Sequence, residues 1–551
     1  MDVIYFNGNI ITMDEKNPKA EAVAVKGGRI VNLGENQEIK SLQNQDTVMI
    51  DLENRTMVPG FHDSHMHLLH YGASLQQVDL TGVTSVQEMI HRCRTFAEGK
   101  IFNSVKWMEG RGWNQDFFID NNFPTRYDLD QITTDYPICL ARACGHVAVV
   151  NSKALEVMDV VKHTPQIHGG HFDVDESGEP LGIFREKALK LIYEHIPEPK
   201  LEDIKQMILD ASVLALRQGI TSVQTDDFEA LPVKDFEIII RAYQELQTSR
   251  ELPIRVYEQC LLPTVERLER FLNLGYYTGQ GDEFFKIGPL KLLCDGSLGA
   301  RTAYLWEPYA DDPTNYGISI YTQEVLDRLV AIAHNAGMQL AIHCIGDKVM
   351  DMAFDSIEKA QQGKFRENAR HGIIHCQITD ETLLNRYKEL DVIAHIQPIF
   401  IDYDLHIVEQ RVGKERAKTS YNWRTMMEKG VHVACGSDCP VEPFDVMPGI
   451  YAAVTRKDLK GHPPGGWMPE QRLTVQQALY GFTLGAAYAS FEENFKGSIA
   501  VGKAADFAVL SEDIFTIESD KLKDVKVLMT VIDGRIMYKK DLGIFDYEGR
   551  F

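Results

Sequence analysis

The sequence has no polybasic run, and its 57 basic residues are outnumbered by 80 acidic ones, for a formal net charge of −23. A chain this acidic is a poor partner for nucleic acid or an anionic membrane. No apolar run approaches the roughly 18 residues that a transmembrane helix needs. The opening "MDVIYFNGNI" lacks the basic n-region and small-residue cleavage site of a secretory signal, so a cytoplasmic setting is expected. Cysteine is too sparse and too scattered for a disulfide framework: nine residues, an odd number, with Cys435 and Cys439 four apart rather than in a CxxC pair. Reduced, buried thiols are the expectation. Three catalytic signatures are also missing. There is no HExxH, no GxSxG ("GSLGA" is not one) and no GxxxxGK[ST], which argues against a zincin site, a nucleophile elbow and a P-loop. What remains is an ordinary globular composition, 44% hydrophobic and 25% charged.

The 551 residues divide by pattern. The first 58 read as short strands punctuated by turn residues, with "VKGGRI" as a two-residue hairpin signal. Residues 489–551 answer in kind, with "IDGRI" as a second hairpin. Two β segments at opposite ends of a chain can pair into one small β-sandwich. Between them, over 59–488, apolar strands alternate with amphipathic helices. After "GFHDSHMHL" come "GITSVQTDD", "LPIRVYEQCLL", "KIGPLKLLCDG", "MQLAIHCIGD", "HGIIHCQI", "DVIAHIQPIF" and "VHVACGSDCPV". Eight strands, mostly apolar on both faces, predict an α/β fold, a distorted (β/α)8 TIM barrel. Residues from about 100 to 200 read as an α/β insertion after strand one.

The stretch "PGFHDSHMHLLH" holds four of the chain's 18 histidines, His62, His65, His67 and His70. Residues two apart on a strand share a face, so His65 and His67 point together from the end of strand one. Active sites of such barrels gather at the carboxyl ends of the strands, where His-x-His can hold one metal ion. His62 has the opposite parity and His70 lies beyond the strand, so both read as helpers or bystanders. Strand five ends with His343, strand six with His375 and strand eight with Asp438, each a polar interruption of an apolar run. Taken singly, each also reads as a core residue satisfied by backbone; together, at matching strand ends, they point to a metal site. Lys291 lies inside strand four, where an ammonium needs compensation unless it snorkels to the rim.

With these residues, and with "RGWNQD", "GHVAVVNSKAL", "LLCDGSLGARTA", "GSDCPVEPFDVMPGI" and "GKAADFAVL", the chain resembles the amidohydrolase superfamily along almost its whole length. More narrowly, it resembles the branch of amidohydrolase family 3 that includes N-substituted formamide deformylase. The resemblance implies a barrel with a β-sandwich built from both termini and a centre of one or two divalent ions, most often zinc. His65, His67 and Asp438 would hold the buried ion, and His343 and His375 the exposed one. Lys291 would bridge as a carboxylated lysine, with Glu186, or less readily Cys294, as a substitute ligand. The implied reaction is hydrolysis of a non-peptide C–N bond in a small molecule by metal-activated hydroxide, with Asp438 moving the proton. His146 would donate to the carbonyl oxygen. Trp113 and Arg301 would line the substrate, with core packing and a surface salt bridge as their plain alternatives, and Asp295 would line it or hold Arg301 or the loop. Asp63 and Asp347 are candidates to orient imidazoles. A homodimer is compatible with the sequence. The alternatives are a deaminase of a ring amidine and a non-catalytic barrel protein. Gly346 stands where a deaminase of this fold carries the glutamate of HxxE.

Overall fold

A computed structural model describes residues 1–99, 106–232, 234–540 and 543–544. It contains an eight-stranded parallel sheet whose order follows the sequence. We number its strands β1 (Phe61–Met66), β2 (Ile220–Thr225), β3 (Arg255–Leu261), β4 (Phe285–Leu293), β5 (Leu340–Cys344), β6 (Gly372–His375), β7 (Ile393–Ile396) and β8 (Val433–Cys435). Every residue of β1, β2, β3, β6, β7 and β8 is buried, as expected of parallel strands covered on both faces. The intervening helices show why the sequence wraps this way. Gln323–Asn335 is capped by the Thr322 side chain, which accepts from the Val325 N–H, and buries Leu326, Leu329, Val330 and Ala333 at helical spacing.

The ring closes without a regular ladder between β8 and β1. The Asp438 N–H donates to the His65 carbonyl at 2.8 Å, and the His67 N–H to that of Cys439 at 2.7 Å. Gly436 permits this approach: a Cβ there would stand 2.6 Å from the His65 nitrogen and 2.7 Å from Asp63 Oδ1. The distortion thus falls where the candidate ligands lie.

The two ends of the chain meet in a β layer. A seven-stranded sheet places Phe507–Leu510 antiparallel to Thr56–Pro59, with Phe507 opposite Pro59. A four-stranded sheet built from the first 51 residues faces it across a core that includes Tyr5, Val23, Ile30, Phe507 and Val531. Both hairpin signals form turns. Gly27 and Gly28 (φ 58° and 74°) and Asp533 and Gly534 (φ 50° and 74°) take the left-handed conformation that two-residue hairpins require.

By contacts, the chain forms two compact units, Met1–Tyr71 with Ile208–Phe551, and Gly72–Met207. The second unit carries its own six-stranded mixed sheet, running from Gly170–Val174 at one edge to Val78–Asp79 at the other. Helices such as Val86–Ala97 pack with it over a separate core. All nine cysteines are free thiols, and all but Cys144 are buried. Among the described residues, no helix is long and apolar enough to cross a membrane.

Candidate metal centre

His65, in β1, is buried, and His67 follows the strand end with its side chain 22% exposed. Their rings meet edge to face at 5.1 Å. Asp438, just beyond β8, brings Oδ1 to 3.1 Å from Nε2 of both histidines. The three ligating atoms lie within 4.8 Å of one another. Lys291 Nζ, fully buried in β4, is 3.2 Å from His65 Nε2 and 3.9 Å from Asp226 Oδ2. The parallel register sets Cys344 beside His375. The His375 ring then lies 4.3 Å from that of His343 and 5.7 Å from that of His65. The site is strained: His375 (φ 80°) and Asp438 (φ 62°) are non-glycine residues in left-handed backbone. Such strain persists only where surrounding structure enforces it, and it concentrates at functional sites.

The electrostatics are those of a site built for a cation. Burial, reinforced by Lys291, pushes His65 down to about 3, so the ring is neutral. Burial works against a charge on His67 too, but the hydrogen bond and charge of Asp438 hold it up at about 9. Burial would raise Asp438, yet the imidazoles of His65 and His67, each with Nε2 3.1 Å from its Oδ1, keep it well below the usual carboxylate range. Burial lowers Lys291, against the attraction of Asp226 and Asp438. A protonated imidazole and a lysine thus crowd one carboxylate where a divalent ion would serve all of them. Two imidazoles and a carboxylate are also the donor set that suits zinc-like ions.

Other residues named from sequence fall elsewhere. Trp113, expected to line substrate, is fully buried in the core of the second unit and donates its indole N–H to the Leu140 carbonyl. Asp295, also expected there, sits behind His343: it accepts from the N–H groups of Tyr304, Ile345 and Gly346 and lies 3.2 Å from His343 Nε2. Arg301 spends its guanidinium on a two-pronged pair with Asp311. His146 and Glu186 pair with each other in the second unit, Nδ1 to Oε2 at 3.1 Å, both largely exposed. Asp63 holds backbone rather than an imidazole: it accepts from the N–H of His65 and from both the N–H and hydroxyl of Ser437. Asp347 accepts from the Trp306 N–H at the start of its helix. Cys294 is buried just past β4.

The residues that do meet the outer nitrogens of the ligand rings went unremarked in the sequence. Gln259 Oε1 lies 2.7 Å from His65 Nδ1, and Gln397 Oε1 2.9 Å from His375 Nδ1. The Asp226 carbonyl is 3.1 Å from His67 Nδ1. Phe400 lies nearly parallel to the His375 ring at 5.9 Å. Their one sequence signal is a polar side chain inside an apolar strand, as in "YEQCLL" and "IAHIQPIF".

Comparison with known proteins agrees with this geometry. Over 542 residues the chain is 34% identical to the YtcJ protein of Bacillus subtilis, covering 98% of this chain and all of that one. It is 26% identical over 564 residues to N-substituted formamide deformylase of Arthrobacter pascens, covering 98% of each. A solved structure, an uncharacterized metal-dependent hydrolase from Pyrococcus horikoshii, matches with a TM-score of 0.74 at 31% identity, covering 94% of this chain and 99% of that one. The model of the amidohydrolase family matches residues 48–538, and the chain belongs to that family.

Proposed function

We propose that this chain is a metal-dependent hydrolase of a non-peptide C–N bond in a small molecule. The observation that carries the reading is the convergence of His65, His67 and Asp438 at the carboxyl end of the barrel, their ligating atoms within 4.8 Å. These three would hold one ion, for which zinc is the reading. His343 and His375 would hold a second. When bound, the ion polarises a carbonyl and supplies an activated water at neutral pH. Asp438 would accept a proton on its carboxylate and pass it to the leaving nitrogen. His65, neutral and buried, supplies a bare nitrogen without a competing proton.

Lys291 is the bridge in this reading. Its ammonium would first give up one proton, and the neutral amine would then add to CO2, forming an N–C bond and releasing a second, so that a buried cation becomes an anion. The burial of Lys291 supports it: Nζ is fully buried, with Asp226 Oδ2 at 3.9 Å, where an anion that binds a cation is better accommodated than an ammonium. The deaminase alternative has a steric obstacle. A Cβ on Gly346 would fall 2.0 Å from the Tyr304 carbonyl oxygen, so no glutamate fits that position. The similarity to a deformylase supports an N-acyl amine as substrate.

The test is metal analysis of purified protein beside His65→Ala, followed by a screen of N-formyl amines, N-acyl amino acids and cyclic amides with added zinc. Stoichiometric metal lost in the variant, with amine release from one of these classes, is expected. Folded wild-type protein that takes up no ion would end the reading.

A further inference from the structure

We infer that Gln259 and Gln397 are positioning residues that select which ring nitrogen of His65 and His375 faces the metal centre. The inference rests on the metal-dependent reading above. An imidazole has two nitrogens, and a neutral ring presents a lone pair at only one of them; the group bonded to the other nitrogen decides which. Here both deciding groups are side-chain amides whose own orientation is fixed. Gln259 Nε2 donates to the Ser64 carbonyl at 3.1 Å, and Gln397 Nε2 to that of His395 at 3.4 Å. A flipped amide would set its oxygen against a carbonyl oxygen, so each Oε1 must be the atom turned toward the histidine. An amide oxygen only accepts. His65 Nδ1 and His375 Nδ1 therefore carry hydrogen, and both Nε2 atoms are bare. The Asp226 carbonyl imposes the same tautomer on His67 in its neutral form.

His343 is set the other way. Its Nε2 faces the Gly296 carbonyl and Asp295 Oδ1, each at 3.2 Å, which leaves Nδ1 as its bare nitrogen. Three rings thus offer Nε2 and one offers Nδ1, each fixed by a different neighbour.

The choice of amide over carboxylate also has a local reason. Gln259 is fully buried next to Glu258, whose Oε2 is buried without a partner among the described residues. Asp226 and Asp227 come from the adjacent strand end, and the Asp227 N–H donates to Glu258. A further carboxylate here would add to an already acidic cluster, whereas glutamine sets the tautomer without charge.

The experiment uses the full-length protein stripped of metal and titrated with Co2+, reading the visible absorption of the bound ion and the dissociation constant by chelator competition. Gln259→Leu and Gln397→Leu should each weaken Co2+ binding by about 10–100-fold and alter the spectrum. Gln259→Glu and Gln397→Glu keep an acceptor toward the imidazole but set a second oxygen against the Ser64 and His395 carbonyls, so they should recover only part of the affinity. Thermal unfolding of each variant separates lost positioning from lost fold. Leu variants with wild-type affinity and spectrum would overturn the inference. Wild-type protein that binds no Co2+ would instead remove the metal reading itself, and this inference with it.

Discussion

Loading the centre with a divalent ion must expel the proton that His67 holds. Burial opposes that proton, but Asp438, hydrogen-bonded at 3.1 Å and negatively charged, keeps the ring protonated up to about pH 9. His65 titrates near 3 and is already free. At pH 7 most His67 rings carry that proton, so apparent affinity lies on the order of 100-fold, or ~3 kcal/mol, below its high-pH limit. Between pH 6 and 8 the dissociation constant should fall about tenfold per unit. Calorimetry in buffers of different ionisation heat should count about one proton released per ion, and His67→Ala should abolish the slope. CO2-free buffer removes the separate protons that forming a carbamate at Lys291 would release. A dissociation constant independent of pH across this range, in protein that binds at His65, would refute the electrostatic reasoning. The metal-free protein carries the converse signature. The raised pKa of His67 contributes stability that is complete below the unfolded value of about 6.5 and lost as pH rises through about 9. The lowered pKa of His65 works oppositely, costing stability as pH falls from 6.5 toward 3. The metal-free fold should therefore be most stable between these ranges, as thermal scans against pH would show.

Three further outcomes follow from the geometry. Lys291→Ala should lower metal stoichiometry and activity, and intact mass of the wild-type protein at high bicarbonate should show one added CO2; full activity in the variant would discard the carbamate. Gly436→Ala must part β8 from β1, so a loss of about 1–3 kcal/mol in denaturant unfolding and weaker metal retention are expected. Arg255, buried and bound to Asp506 and Asp533, anchors β3 to the terminal β layer; Arg255→Met leaves Asp506 buried without its cation and should cost about 3–5 kcal/mol in the same assay.

The barrel was legible because each strand is an apolar run closed by a polar residue, and the metal cluster because His-x-His and "GSDC" carry chemistry costly to bury for any other reason. The supporting residues were not legible on those grounds. Gln259 and Gln397 are ordinary polar side chains whose role depends on which partner the barrel turns toward them. Asp295, placed at the substrate by resemblance, instead has three backbone N–H groups drawing it inward beneath His343. Trp113, which read as a pocket wall or as core, ends strand Met108–Trp113 on the inward-facing side. Parity along a strand is visible in sequence; which face the sheet covers is not.

The pairing of Thr56–Pro59 with Phe507–Leu510 has a consequence for biosynthesis. The partners that neutralise Arg255 lie 251 and 278 positions downstream, at Asp506 and Asp533. While the ribosome is still working through the eighth strand, the first 58 residues and the base of the third strand must wait, uncovered, for a stretch not yet translated. The burial of Arg255 and of the Thr56–Pro59 edge is therefore completed only once Phe507–Leu510 and Asp533 have been made.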